Sequence, residues 1–292
     1  MSIEQNIYSD KLSHKCLIRI QSVYTTLKSA EKKAADFILN NPESIAEGTI
    51  IDVAEMAGCS EATFVRIARK LGYTGYPMLK ASILQTEEEE TGVLYKEITP
   101  ADDPISVVNK IFQTSIQSLL DTVGLLNSDS YLEALQHIQN AKHILFAGVG
   151  DSFTVAYTGY LKFSRIGLSS YCSQDFDIQL MEVSKLRSDD LLVIISHSGR
   201  TQSLYEVAKY AKLRETPILA ITNYPISPIA KIADTVLLTA TFVPNILGEI
   251  MTKRIPELCL LETLYVNTVM HSGKEVSDTL ANATKSISIN KL

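Results

Sequence analysis

Six consecutive residues, Ser196-His197-Ser198-Gly199-Arg200-Thr201, carry the densest chemistry in the chain. They follow an apolar run, Leu191–Ile195, that reads as a buried strand, and they precede TQSLYEVAKYAKLR, which reads as a helix. Where a parallel strand gives way to a helix, the helix N-terminus faces a crevice. Its free N–H groups and its dipole favour an anion there. Ser196, Ser198 and Thr201 add hydroxyl donors, and Gly199 lets the backbone approach closely. An ordinary helix cap needs one hydroxyl; this loop offers several, which suits a phosphate monoester. Arg200 either helps to hold the anion or is a surface residue. His197 senses pH, faces a partner subunit, or does neither.

A second turn of this kind closes the apolar run HILFA, at Gly148-Val149-Gly150-Asp151-Ser152. Phe153 stands where a dinucleotide fingerprint needs its last glycine, so that reading is weak. Beside the first loop, Gly148, Gly150 and Ser152 instead form a second wall of the crevice. Glu182, Arg254, Glu257 and Glu262 sit on helices able to line it, although a lone Glu or Arg on a helix is usually solvated or paired.

The other chemistry is near the N-terminus, in TIIDVAEMAGCSEATFVRIARKLGYTGY. Ile50, Val53, Ala54 and Ala57 share one helical face. Gly58 is a stop suited to positive φ, Ser60 a good N-cap and Glu61 a favourable first-turn acid. In the helix that follows, Phe64, Ile67, Ala68 and Leu71 fall on one side; Ala62, Thr63, Arg66, Arg69 and Lys70 fall on the other. Two short helices around a tight turn, the second basic and exposed, fit a major groove. Arg66 reaches a base edge or a phosphate, while Ser60, Thr63 and Lys70 suit phosphates. The alternative is a helical hairpin with a solvated basic face.

These sites need elements to hold them. Residues 1–85 read as short helices, with the helix-turn-helix at about 49–68. Residues 86–103 carry Glu87–Glu90 and further acids and read as a linker. Residues 104–292 form a second domain, its core at about 134–274. Helices are predicted over 105–126, 130–139 and 253–271. Five strand candidates, 143–147, 169–172, 191–195, 217–222 and 235–239, alternate with helical patterns. That alternation predicts a parallel sheet covered on both faces. The fold class is therefore an all-helical domain followed by an α/β domain.

The stretches LKSAEKKAADFILNNPESI and IIDVAEMAGCSEATFVRIARKLGYTGYPMLK resemble the helix-turn-helix of the RpiR (MurR/RpiR) regulators. Ser60–Arg66 and Leu71–Tyr76 match that family's most specific runs, and the likeness extends over roughly residues 12–270. It implies a C-terminal sugar-isomerase (SIS) domain, flavodoxin-like in its five-stranded sheet. By the same resemblance Ser196, Ser198 and Thr201 hold a phosphate, while Gly150 and Ser152 approach a sugar. The expected partners are double-stranded operator DNA and a phosphorylated sugar, in a homodimer or homotetramer. No cofactor, metal or catalytic residue is implied. A SIS-fold isomerase, with Glu182 or Glu257 as base and His197 opening the ring, and a protein-binding adaptor are the competing readings.

Bulk properties agree with that organisation. A net charge of −6 argues weakly against nucleic acid, but Arg66, Arg69, Lys70 and Lys80 make a local basic surface, and local field governs phosphate contact. The four scattered cysteines read as buried or half-buried free thiols of a reducing cytoplasm. No membrane-spanning run or secretory leader is apparent.

Overall fold

The computed structural model describes residues 16, 19–20, 23–24, 27–71, 73–83, 98–241 and 253–290. Most of the acidic segment expected as a linker lies outside the described residues. Two compact units emerge, with a break in sequence between Leu125 and Leu126. No helix among the described residues is long and apolar enough to cross a membrane.

The first unit is helical: α1 (Ser29–Asn40), α2 (Pro42–Glu47), α3 (Ile50–Ala57), α4 (Glu61–Lys70), α5 (Tyr76–Ile83) and α6 (Pro104–Leu125). Thr49 opens α3 with a capping box: its hydroxyl accepts from Asp52 N, and its own N–H donates to the Asp52 carboxylate. Gly58 closes α3 in the left-handed region at φ 60°, as its position predicts. Ser60 stands at the N-cap of α4, but its hydroxyl meets the Thr63 hydroxyl at 2.9 Å instead of capping a backbone N–H. Ile38, Leu39, Val53, Phe64, Ile67 and Leu79 are buried and form the core. Tyr76 stands edge-on to Phe64, and its hydroxyl donates to Ile45 O at 3.2 Å. The charge run places a boundary before Pro104; the two compact units divide after Leu125.

The second unit runs α7 (Ser128–Asn140), β1 (His143–Ala147), α8 (Asp151–Arg165), β2 (Ser169–Cys172), α9 (Phe176–Val183), β3 (Leu191–Ile195), α10 (Gln202–Leu213), β4 (Ile218–Thr222), α11 (Pro228–Ile232), β5 (Thr235–Leu238), α12 (Arg254–His271) and α13 (Lys274–Ile287). The strands form one parallel sheet in the order β2-β1-β3-β4-β5. Strands β3 and β4 are buried at every residue, because helices cover both faces. Alternate side chains divide between two cores. Ile144, Phe146, Val193, Ile195, Leu219 and Ile221 face one side, where Val155, Phe163, Leu261 and Leu264 meet them. Leu145, Leu192, Ile194, Ile218 and Ala220 face the other, under Leu204, Val207 and Ala211. Helix α13 was not anticipated; Val276 and Leu280 lean on the core. The cysteines are all free; Cys16 is buried and Cys59 and Cys172 are half-buried, but Cys259 is exposed, against expectation.

Candidate functional site

On the helical unit, α4 turns Phe64, Ile67 and Ala68 inward and leaves Ser60, Ala62, Arg66, Arg69 and Lys70 exposed. Thr63 departs from the expected face. It is only 2 % exposed, and its hydroxyl is taken up by Ser60 and, at 3.5 Å, by Arg66. Lys70 is exposed but not free: its ammonium meets Glu31 of α1 at 2.8 Å. That hydrogen bond, with one from Lys28 N, holds the Glu31 carboxyl below its ordinary range. Two other cations are likewise committed to backbone carbonyls, Lys33 to Gly58 and Lys80 to Gly48. Arg66 bends back to Ala62 O at 3.2 Å, a weak tether on an exposed side chain. Arg66 and Arg69 are thus the cations of α4 best placed to reach outward.

On the sheet unit, the Ser196–Thr201 loop leaves the carboxyl end of β3 and enters α10. Its shape is set from behind by β4 and α11. His197 O accepts from Asn223 N at 3.0 Å and from the Thr222 hydroxyl at 3.1 Å. Gly199 O accepts from Ile229 N at 3.0 Å, and Gly199 N closes a turn onto Ser196 O. Gly199 has φ 61°, and a Cβ there would lie 2.0 Å from the Ser227 hydroxyl oxygen. The Thr201 side chain makes no capping bond to α10, so the first N–H groups of α10 point out without a local acceptor from that residue. Ser198 and Thr201 are half-buried, and Ser196 is buried with no hydrogen-bond partner for its hydroxyl.

The wall at β1 matches in position. Gly150, at φ 59°, is the N-cap of α8 and has no capping side chain. Ser152 is buried in the first turn. Gln179 of α9 crosses to this end: its amide donates to Gly148 O at 3.2 Å and Ser173 O at 2.7 Å, while its own carbonyl oxygen is buried without a partner. No sequence signal singled out Gln179, since a lone glutamine in a helix carries none.

Helix α12 supplies the charged floor. Arg254 and Glu257 are buried, 4 % and 0 % exposed, with guanidinium to carboxylate distances of 3.0 and 3.1 Å. The Glu257 carboxylate stands 3.8 Å from His197 Nδ1, beyond hydrogen-bond reach. Three of the sequence candidates therefore meet here, although they come from distant parts of the chain. Two others do not join them. Glu182 pairs with Lys185 and borders a cavity of about 530 Å³ at the amino ends of β1 and β2, beside Lys142, His143 and Ser169. Glu262 pairs with Lys162 at 2.6 Å. Both lie on faces of α9 and α12 that their sequence positions alone could not assign.

Burial, with Lys253 and Arg254 nearby, pushes the His197 pKa down to about 3. The ring is neutral at physiological pH and does not sense pH near neutrality. It does make the fold acid-sensitive. The unfolded chain takes a proton on this histidine below about pH 6.5, and the folded chain does not. Stability is therefore unaffected above that value and falls as pH drops from about 6.5 toward 3, by about 1.4 kcal/mol per unit. Thermal melts at pH 7 and pH 5 should show wild type losing about 2 kcal/mol more than His197→Gln; equal losses would remove His197 from the acid response.

A basic helix presented after a glycine turn, with a parallel sheet whose strand ends carry a hydroxyl-rich loop, defines a class: two-domain regulators that join a helix-turn-helix to a sugar-isomerase fold. Residues 14–89 match the helix-turn-helix domain of the rpiR family, and residues 137–267 match the SIS domain. An HTH-type transcriptional regulator of Thermotoga maritima is 36% identical over 85% of this chain and 89% of its own. The regulator HexR of Pseudomonas aeruginosa is 32% identical, covering 93% and 95%. Among solved structures, the Vibrio vulnificus NanR protein complexed with ManNAc-6P is similar at a TM-score of 0.61 and 26% identity, over 95% of this chain and 99% of that one. The chain belongs to the RpiR family of transcriptional regulators and carries a SIS domain.

Proposed function

We propose that the SIS unit binds a phosphorylated sugar as effector, through the Ser196–Thr201 loop, and that occupancy changes the affinity of the helix-turn-helix for a cytoplasmic operator. The phosphate rests on Ser196, Ser198, Thr201 and the N-terminus of α10; Arg200 flanks it; the sugar extends toward Gly148, Gly150 and Ser152. Operator contact falls to Ser60, Ala62, Arg66 and Arg69, with Lys70 serving chiefly to fix α4 on α1.

The observation that carries this reading is the loop itself. Its left-handed glycine is wedged against Ser227, its helix lacks a side-chain cap, and the Ser196 hydroxyl is buried without a partner. Leaving such a group unpaired costs about 1–3 kcal/mol, which a polar ligand relieves. The bound ManNAc-6P of the NanR relative supports the chemical class. Turnover is not part of the proposal: of the two bases an isomerase reading would use, Glu257 is buried and paired with Arg254, and Glu182 pairs with Lys185 away from the loop.

The test pairs thermal melting with operator gel shifts at fixed salt. One phosphosugar in a panel should raise the melting temperature, by about 2.7 kcal/mol of added stability at a hundredfold excess over its Kd. Its unphosphorylated sugar should not. Ser198→Ala should weaken that response about tenfold, equivalent to about 1.4 kcal/mol, and still bind operator. Arg66→Ala should do the reverse, losing about 1–3 kcal/mol on DNA. A panel in which no phosphosugar stabilises the protein overturns the effector reading.

A further inference from the structure

Glu31 of α1 is buried, and a single oxygen of its carboxylate, Oε2, serves two helices. It accepts the Lys28 N–H at 2.8 Å, reaching back to the N-cap backbone of its own helix. It also accepts the Lys70 ammonium, from the last turn of α4, at 2.8 Å. The first bond anchors the carboxylate to α1, so it cannot follow a lysine that swings outward. Leaving it behind is costly, because a buried carboxylate stripped of its partner is strongly destabilising. A lysine that moved to a DNA phosphate would gain only an exposed ion pair, which is worth little. The exchange is uphill, and Lys70 stays with Glu31. Yet Lys70 stands one turn beyond Arg66, about 6 Å along the same exposed face. If Arg66 reaches DNA, a freed Lys70 reaches it too.

We propose that Glu31 limits how strongly this unit holds DNA of any sequence, by keeping Lys70 off the phosphates. It is a positioning residue that acts through Lys70. Each phosphate neutralised by a cation releases counterions, and that contribution carries no sequence information. Lysine is well suited to add such a contact: its compact charge on a flexible stem meets a phosphate in any register. Arginine is able to read a base edge with two donors. With Lys70 withheld, α4 presents Arg66 and Arg69 outward. Lys33, Lys80 and Lys110 are likewise engaged, with Gly58 O, Gly48 O and Asp102. The same Glu31 bond pins the last turn of α4 to α1, which fixes the angle at which the arginines are offered. The inference rests on the reading that α4 faces DNA; it needs neither an effector nor a known operator.

The test follows the binding of full-length protein to a short random-sequence duplex by fluorescence anisotropy, between about 50 and 200 mM salt. Glu31→Gln removes the charge but keeps an oxygen for the Lys28 N–H, and circular dichroism checks its fold. Its plot of log affinity against log salt should steepen by about 0.9, with binding about tenfold tighter near 50 mM. Both gains should vanish in Glu31→Gln/Lys70→Met. Loosening of α1, or the loss of a negative charge by itself, would survive in that double variant. An unchanged slope in Glu31→Gln overturns the proposal, and so does a gain that persists without Lys70. Lys70→Met alone decides the matter if Glu31→Gln does not fold: a slope flattened by about 0.9 would put Lys70 on a phosphate already. Arg66→Ala/Arg69→Ala tests the underlying reading. It should flatten the slope by up to about 1.8; no change there would mean that α4 does not face DNA, and the inference would fall with that reading.

Discussion

Glu257→Ala should cost about 3–5 kcal/mol of stability, the range for breaking a buried ion pair from one side. Both partners lie inside the protein, and one guanidinium nitrogen, Arg254 Nη1, donates to both Glu257 carboxylate oxygens at 3.0 and 3.1 Å. Alanine removes the carboxylate but leaves the Arg254 guanidinium in a site where desolvation is already paid in full. Relocation is constrained, because Arg254 opens α12 and Pro256 follows it two residues on. Removing both charges should cost less than removing one, so Arg254→Met/Glu257→Leu should recover much of the loss. Glu257→Gln retains one acceptor oxygen and should fall between. The chain has no tryptophan, so urea unfolding is best followed by circular dichroism. A Glu257→Ala protein within about 1 kcal/mol of wild type would mean that the guanidinium is held without this carboxylate. The effect should extend to the loop, because His197 stands over the pair and loses a wall of its pocket.

Much of this fold was legible because its central strands are buried on both faces. Runs such as Leu191–Ile195 and Ile218–Ile221 are apolar throughout, and the bounds of their strands follow within a residue of expectation. The turn at Gly58 was legible for a different reason: a helix that must reverse in two residues needs a left-handed position. What sequence could not supply was the partner of each side chain across elements. A helical wheel puts Thr63 and Lys70 on the open side of α4. Ser60 and Arg66 occupy the first, and Glu31, contributed by α1, takes the second. The same limit applies to the crevice. Arg254, Glu257 and His197 share one pocket only because α12 returns beneath the end of β3, whereas Glu182 travels along α9 to the amino edge of the sheet. Periodicity names the face of a helix; only packing says what stands opposite it.

Gly199→Ala should disable the crevice outright. The residue sits at φ 61°, where a Cβ costs about 1–2 kcal/mol from backbone strain alone. That Cβ would also lie 2.0 Å from the oxygen and 2.4 Å from the Cβ of Ser227, and 3.0 Å from the Thr222 hydroxyl. None of these atoms is the far end of a flexible chain. Ser227 is tied down because its hydroxyl accepts from Ala230 N as the cap of α11, and Thr222 because its hydroxyl donates to His197 O. Overpacking of this kind costs a further 1–3 kcal/mol or so. The summed destabilisation, about 2–5 kcal/mol, should lower the melting temperature of the sheet unit by roughly 5–15 °C. Stabilisation by any phosphosugar should vanish with it, since the displaced backbone is the part meant to lie against the phosphate. Ser227→Gly in the Gly199→Ala background removes the collision but not the strain, and it sacrifices the α11 cap. It should therefore return part of the stability. If Gly199→Ala melts like wild type and still responds to a phosphosugar, the loop has room that these distances deny, and the close approach of backbone to anion is not what builds the site.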